Sequence, residues 1–292
     1  MSHGATSPST ATTCLWNARL LWVERGTADA GACATWYADL LGDAMSPVAN
    51  GLWQLRGAER WMLFRDGPAK SAPSFAFAFP TVAQHDAFRS HLEQAGVAMQ
   101  ALAAEYATLL GGHGFSILDP DGRRMVFTVS PGQVAAVDGA LPGRLQHFVV
   151  ASTQTLPMLE FYRDTLGFVE SDRVVDSDGD LSSAFVRSDP EHHSFAVFRA
   201  PASGPDHHAY DVPNWNAIRD WADHCGDLEI PLWWGPGRHG VGNNLFFMIE
   251  DPDGYKIEFS TELEHMPVEM PYREWPHGPR ALNLWGNAWM RS

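Results

Sequence analysis

The chain has 292 residues, 45% of them hydrophobic and 19% charged, enough apolar material for one large core or two ordinary ones and not a disordered composition. Its formal charge of −15, with a pI near 5.2, argues against nucleic acid or an anionic membrane surface as partner. Three cysteines (Cys14, Cys33, Cys225) lie far apart without a CxxC, which excludes a disulfide framework or a cysteine zinc site, and no apolar run reaches membrane-spanning length.

Residues 1–13 are small and polar, with no basic start and no apolar run. They read as a frayed tail rather than a signal peptide, and a cytoplasmic location is expected. Next come a strand at RLLWV and a helix at ATWYADLLG (Ala34 to Gly42). A strand at SFAFAF and a turn-plus-strand at DPDGRRMVF (Asp119 to Phe127) close the first half. A Gly-, Pro- and Ala-rich join follows, SPGQVAAVDGALPGR (Ser130 to Arg144).

The second half repeats this order. LQHFVVAS reads as a strand and MLEFYRDTLGF as a helix ending at Gly167. SSAFVRS and HSFAVFRA follow as strands, then HHAYDV as another. NWNAIRDWADHCG is a helix ending at Gly226, and LFFMIED and YKIEFST close as strands around DPDGYKIEF. Tyr37 and Tyr162 lie 125 residues apart, Asp119 and Asp251 132 apart. Two motifs at nearly one offset indicate a duplicated domain. The expected architecture is α+β, four βαβββ units in two tandem domains, at residues 14–132 and 143–265, with a tail over 266–292 packing near the site. Each DPDG suits a type I turn.

Nine of the thirteen histidines fall from His147 onward. His147 sits in an apolar strand, where a single histidine is ordinarily a hydrogen-bonded core or rim group. Strand alternation puts His207 with Ala209 and Asp211 on one face, and His208 with Tyr210 and Val212, which look core-facing, on the other. His207 is therefore the better candidate for a cavity. Glu258 lies between Ile257 and Phe259, where the first half has Val126. Two histidines and a carboxylate on three strands have the composition of a 2-His-1-carboxylate triad, which leaves open positions on an octahedral Fe(II).

With these residues the sequence resembles the type I extradiol ring-cleavage dioxygenases of the vicinal oxygen chelate superfamily, over about residues 15 to 285. The resemblance implies metal ligands at His147 (L-x-H), His207 (HHAYDVPNW) and Glu258 (six residues after the Pro of D-P-x-G). It implies an acid–base histidine before an S-x-A strand: His193 of HHSFAVF, with His192 beside it as the alternative. It implies a substrate-binding histidine before G-x-G-x-N, which is His239. The family's tyrosine, three residues before the Asp of D-P, is Met248 here, and a thioether cannot donate a hydrogen bond. Tyr255, in the turn, is not expected to substitute for it; Tyr272, in the tail, is in a position to reach over the pocket. The first half has Val126, Ser74 and RLLWV in place of all three ligands and is expected to be metal-free.

The implied activity is Fe(II)-dependent cleavage of a catechol-type ring by O2 next to the diol, with Mn(II) the alternative metal, and the implied assembly is a homo-oligomer. Trp233, Trp234, Trp275, Trp285 and Trp289 suit a flat aromatic diol or fill cores and interfaces. Met248 keeps open a metal-dependent isomerase or lyase acting on a chelating small molecule without oxygen. A non-catalytic binding protein is the third reading.

Overall fold

The structure is a computed structural model that describes residues 13–132 and 134–290; residues 1–12 of the expected tail lie outside them. Four sequential units build two sheets. The first unit holds β1 (Arg19–Thr27), α1 (Ala30–Leu41), β2 (Ala44–Ala49), β3 (Leu52–Arg56) and β4 (Trp61–Asp66). The second holds β5 (Ser74–Phe79), α2 (Val82–Gln94), α3 (Ala104–Leu109), β6 (Phe115–Leu118) and β7 (Arg124–Val129). The third holds β8 (Arg144–Ser152), α4 (Thr155–Glu160) running into a π-helical turn (Phe161–Thr165), β9 (Val169–Val175), β10 (Leu181–Arg187) and β11 (Phe195–Arg199). The fourth holds β12 (Gly204–Asp211), α5 (Trp215–Asp227), β13 (Trp234–Arg238), β14 (Leu245–Glu250) and β15 (Lys256–Thr261). A short β16 (Arg273–Pro276) and α6 (Pro279–Leu282) follow. No helix among the described residues is long and apolar enough to cross a membrane.

The strand orders are β2-β3-β4-β1-β5-β7-β6 and β13-β14-β15-β12-β8-β11-β10-β9-β16. In every unit the first strand pairs in parallel with its own last strand, and the first strands of paired units meet antiparallel at the sheet centre. Three units are βαβββ as expected, and the second is not. Where a strand was expected it has only the Gln100–Ser116 bridge, because the Ala-rich AEYATL segment forms α3. Helix ends also shift: α5 continues through Gly226 to Asp227, and the positive φ falls on Glu229.

One core is shared by both halves. Phe75 of β5 packs on Phe148 of β8 at 5.0 Å, and Tyr162 stacks on Phe195 at 4.0 Å. The two echoed motifs lock each other crosswise. Tyr37 donates to Asp251 across the halves (3.1 Å), and Tyr162 donates to Asp119 (3.3 Å). Each Asp also closes its own turn, accepting from the backbone N–H groups of Asp121 and Arg123, or of Asp253 and Tyr255. The repeat visible in the sequence is thus a reciprocal clamp between the halves, placed directly before β7 and β15.

Candidate metal centre

His147 on β8, His207 on β12 and Glu258 on β15 come from three adjacent strands, and pairing makes them neighbours: Ala209 stands beside both His147 and Glu258. Period-2 alternation sends these side chains to one face, while Phe148, Tyr210 and Phe259 enter the shared core. Glu258 Oε2 lies 3.3 Å from His207 Nε2 and 3.8 Å from His147 Nε2, and one ligand atom of each residue falls within 4.8 Å of the others. All three are buried. His147 Nε2 has no hydrogen-bond partner although no solvent reaches it. An orphaned imidazole nitrogen aimed at a buried carboxylate is costly for a protein alone and suits a divalent cation.

Supporting groups fix the ligands. Gln146 Oε1 accepts from His147 Nδ1–H, and Asp206 does the same for His207 Nδ1, so that both Nε2 atoms face the centre and can turn a lone pair to a bound cation. Asn244 Nδ2 donates to Glu258 Oε1 at 3.0 Å. Burial pushes the Glu258 carboxyl up, but the three imidazoles facing it overcome this and hold it well below the usual carboxylate range. Burial pulls His147 down; for His207, Asp206 and Glu258 outweigh burial and the net shift is upward. Asp206→Ala is expected to weaken Mn(II) affinity about 10- to 100-fold in a competitive chelator titration, by freeing the His207 ring.

The chain matches the Glyoxalase/Bleomycin resistance protein/Dioxygenase superfamily over residues 144–259. It is 31% identical to metapyrocatechase 2 of Cupriavidus necator over 219 residues, 64% of this chain and 67% of that protein. The chain belongs to the extradiol dioxygenases of this superfamily. It spans 38–61% of the length of four further curated relatives. Its fold matches homoprotocatechuate 2,3-dioxygenase of Arthrobacter globiformis (TM-score 0.78, 25% identity, covering 96% of this chain and 91% of that one). It also matches a Mn(II)-bound glyoxalase of Novosphingobium aromaticivorans (TM-score 0.76, 26% identity, 92% and 91%).

Around this candidate centre the structure separates the remaining candidates. His193, His239 and Met248 line the cavity with the three ligand residues, and His192 does not. His193 stands with its ring 4.3 Å from that of His147; burial holds it well below its ordinary range, helped by the neighbouring His147 and His192. His239 stacks flat on Phe246 (3.7 Å, 3°), and its Nδ1–H donates to the Leu282 carbonyl of α6. Its Nε2 is therefore an acceptor, 3.8 Å from Glu258. Met248 pairs directly across from Glu258. Tyr255 lies on the other face, its hydroxyl 3.2 Å from His208 Nδ1. Tyr272 does not reach the cavity; it is half-exposed under the Arg173 guanidinium. Of the five singled-out tryptophans only Trp234 lines the cavity, while Trp275 packs behind it and Trp285 is exposed.

Gly240 makes the tail's approach possible: a β-carbon there would sit 2.1 Å from the Arg280 carbonyl oxygen. In the first half the matching slots are filled. Ladder register equates Trp22 with His147, Ser74 with His207 and Val126 with Glu258. The Trp22 indole donates to Ser74 Oγ (3.2 Å), and Glu24, Arg65 and Tyr106 form a buried network beside it.

Proposed function

We propose that this chain cleaves a vicinal aromatic diol next to its hydroxyls with O2, using a divalent metal held by His147, His207 and Glu258. The observation that carries the reading is the buried three-residue centre with its orphaned His147 nitrogen. The metal, Fe(II) or Mn(II), supplies when bound the open positions and electron-transfer capacity that O2 and a chelating diol need. The protein supplies the rest. His239, with its proton committed to Leu282, accepts a hydrogen bond from a substrate hydroxyl. His193 takes and returns a proton beside the reacting oxygens. Met248 fills space where a hydroxyl is absent and contributes contact, not proton transfer.

The walls limit the substrate. The cavity is narrow and lined by Val149, Phe185, Phe198, Val241, Ala281 and Leu282 besides the polar groups, and no lysine or arginine among the described residues lines it. A carboxylate carried into such a wall would be buried without a partner, at a cost of several kcal/mol. The favoured substrate is therefore an uncharged catechol with small apolar substituents.

Anaerobically purified, Fe(II)-loaded protein should consume one O2 per catechol or methylcatechol with a yellow product, and should discriminate against 3,4-dihydroxyphenylacetate at least about 100-fold in kcat/KM. Metal bound at one per chain with no oxygen uptake across the panel would instead favour the non-oxidative reading that Met248 supports.

A further inference from the structure

Behind His193 lies a buried chain of polar groups that touches neither ligands nor cavity. His193 Nδ1 is 3.0 Å from His192 Nδ1, and His192 Nε2 is 3.0 Å from Asp172 Oδ2. Asp172 and His192 are fully buried. Asp172, on β9, also accepts from Arg273 (2.8 and 3.1 Å) and from the Trp275 indole (3.0 Å), both on the parallel neighbour β16. The rings are held on all sides: Phe185 meets His193 edge-on at 5.2 Å, and the His192 backbone N–H donates to the Glu264 carbonyl. Gly242 lies so near that a β-carbon there would come within 3.3 Å of His192 Nδ1.

These contacts leave one consistent arrangement of protons. An ionised carboxylate only accepts, so His192 must carry its proton on Nε2. Its Nδ1 is then a lone pair. Two facing lone pairs would repel at 3.0 Å, so His193 must donate from Nδ1, which leaves its Nε2 bare on the opposite side of the ring. The alternative, a doubly protonated His192, is opposed by burial and by the Arg273 charge, which outweigh the pull of Asp172 on its pKa.

We propose that Asp172 and His192 are positioning residues that fix the proton of His193 on Nδ1 and present its Nε2 as a ready base to the cavity. The inference rests on the reading of His193 as the acid–base group. The base accepts one proton and returns it within the same turnover, so the enzyme ends in its starting tautomer. Because β16 supplies Arg273 and Trp275, the seat of the C-terminal tail is part of the device.

The test begins with the chelated, full-length protein labelled with 15N-histidine, whose ring-nitrogen correlations report tautomers directly; the His193 signals are assigned by their loss in His193→Asn. The expected wild-type result is a neutral His193 protonated on Nδ1. Asp172→Asn should shift that tautomer and lower kcat for catechol about 10- to 100-fold, the scale of a misplaced general base. KM and Mn(II) affinity should stay within about threefold, a split that loosened folding would not give. A wild-type His193 protonated on Nε2 overturns the proposal, as does a folded Asp172→Asn with unchanged tautomer and kcat. The wild-type tautomer measurement needs neither a folded Asp172→Asn protein nor turnover, so it decides the relay even for a protein that cleaves no catechol.

Discussion

Glu258→Gln should abolish the rise in thermal midpoint that Mn(II) or Fe(II) gives the wild-type protein, and should lower catechol turnover by about 10³-fold or more. The substitution is nearly isosteric, and Asn244 can still donate to the remaining amide oxygen. The protein should therefore fold, as a circular dichroism spectrum would check. What disappears is the only negative charge among the three proposed ligands. Two neutral imidazoles and an amide offer a divalent cation far less, and several kcal/mol of metal affinity corresponds to about three orders of magnitude. A metal that binds only the folded state stabilises it by mass action, so the thermal shift is a direct readout of the site. A Glu258→Gln protein that keeps a full metal-induced shift would remove Glu258 from the centre.

The meeting of His147, His207 and Glu258 in one candidate centre was legible in the sequence through strand parity, turn position and the family resemblance. His207 and His208 could be told apart by which neighbours look core-facing, and the DPDG turn fixed where Glu258 falls on β15. The groups that orient the ligands were not legible. Asp206 precedes His207, so strict alternation would turn it away, yet the β12 ladder slips between Pro205 and His207 and lets Asp206 reach the ring. Asp172 stands 20 residues from His192, and only the pairing of β9 with β10 brings them together. Asn244 lay within the G-x-G-x-N motif, but nothing in its spacing says that it faces a carboxylate. The missing strand of the second unit has a different cause. Helix propensity in AEYATL prevails there, and the helix sets the Tyr106 hydroxyl on the buried Glu24 carboxylate.

The second large effect concerns the clamp rather than the metal. Asp251→Ala should cost about 3–5 kcal/mol, seen as a thermal midpoint lower by roughly 10 °C in chelator, and Asp119→Ala should cost clearly less. The two carboxylates look equivalent in sequence, but their arginine partners are not. Asp251 accepts from Arg25, whose side chain is fully buried, at 3.0 Å. Without it Arg25 keeps only the Ser71 carbonyl and the face of Tyr255, 3.6 Å from its guanidinium carbon, and no carboxylate. An uncompensated buried charge is what makes the loss large. Arg123, beside Asp119, retains Asp121 at 2.8 Å and the Ala151 carbonyl, so its charge stays paired. The same asymmetry should reach the metal, since the Asp251 turn leads directly into β15 and Glu258. Asp251→Ala is expected to weaken Mn(II) affinity about tenfold, the scale of a lost supporting contact, while Asp119→Ala, which loosens only the half whose ligand slots are filled, leaves it unchanged. Equal metal affinities in the two variants would mean that the clamp holds the halves together without tuning the site.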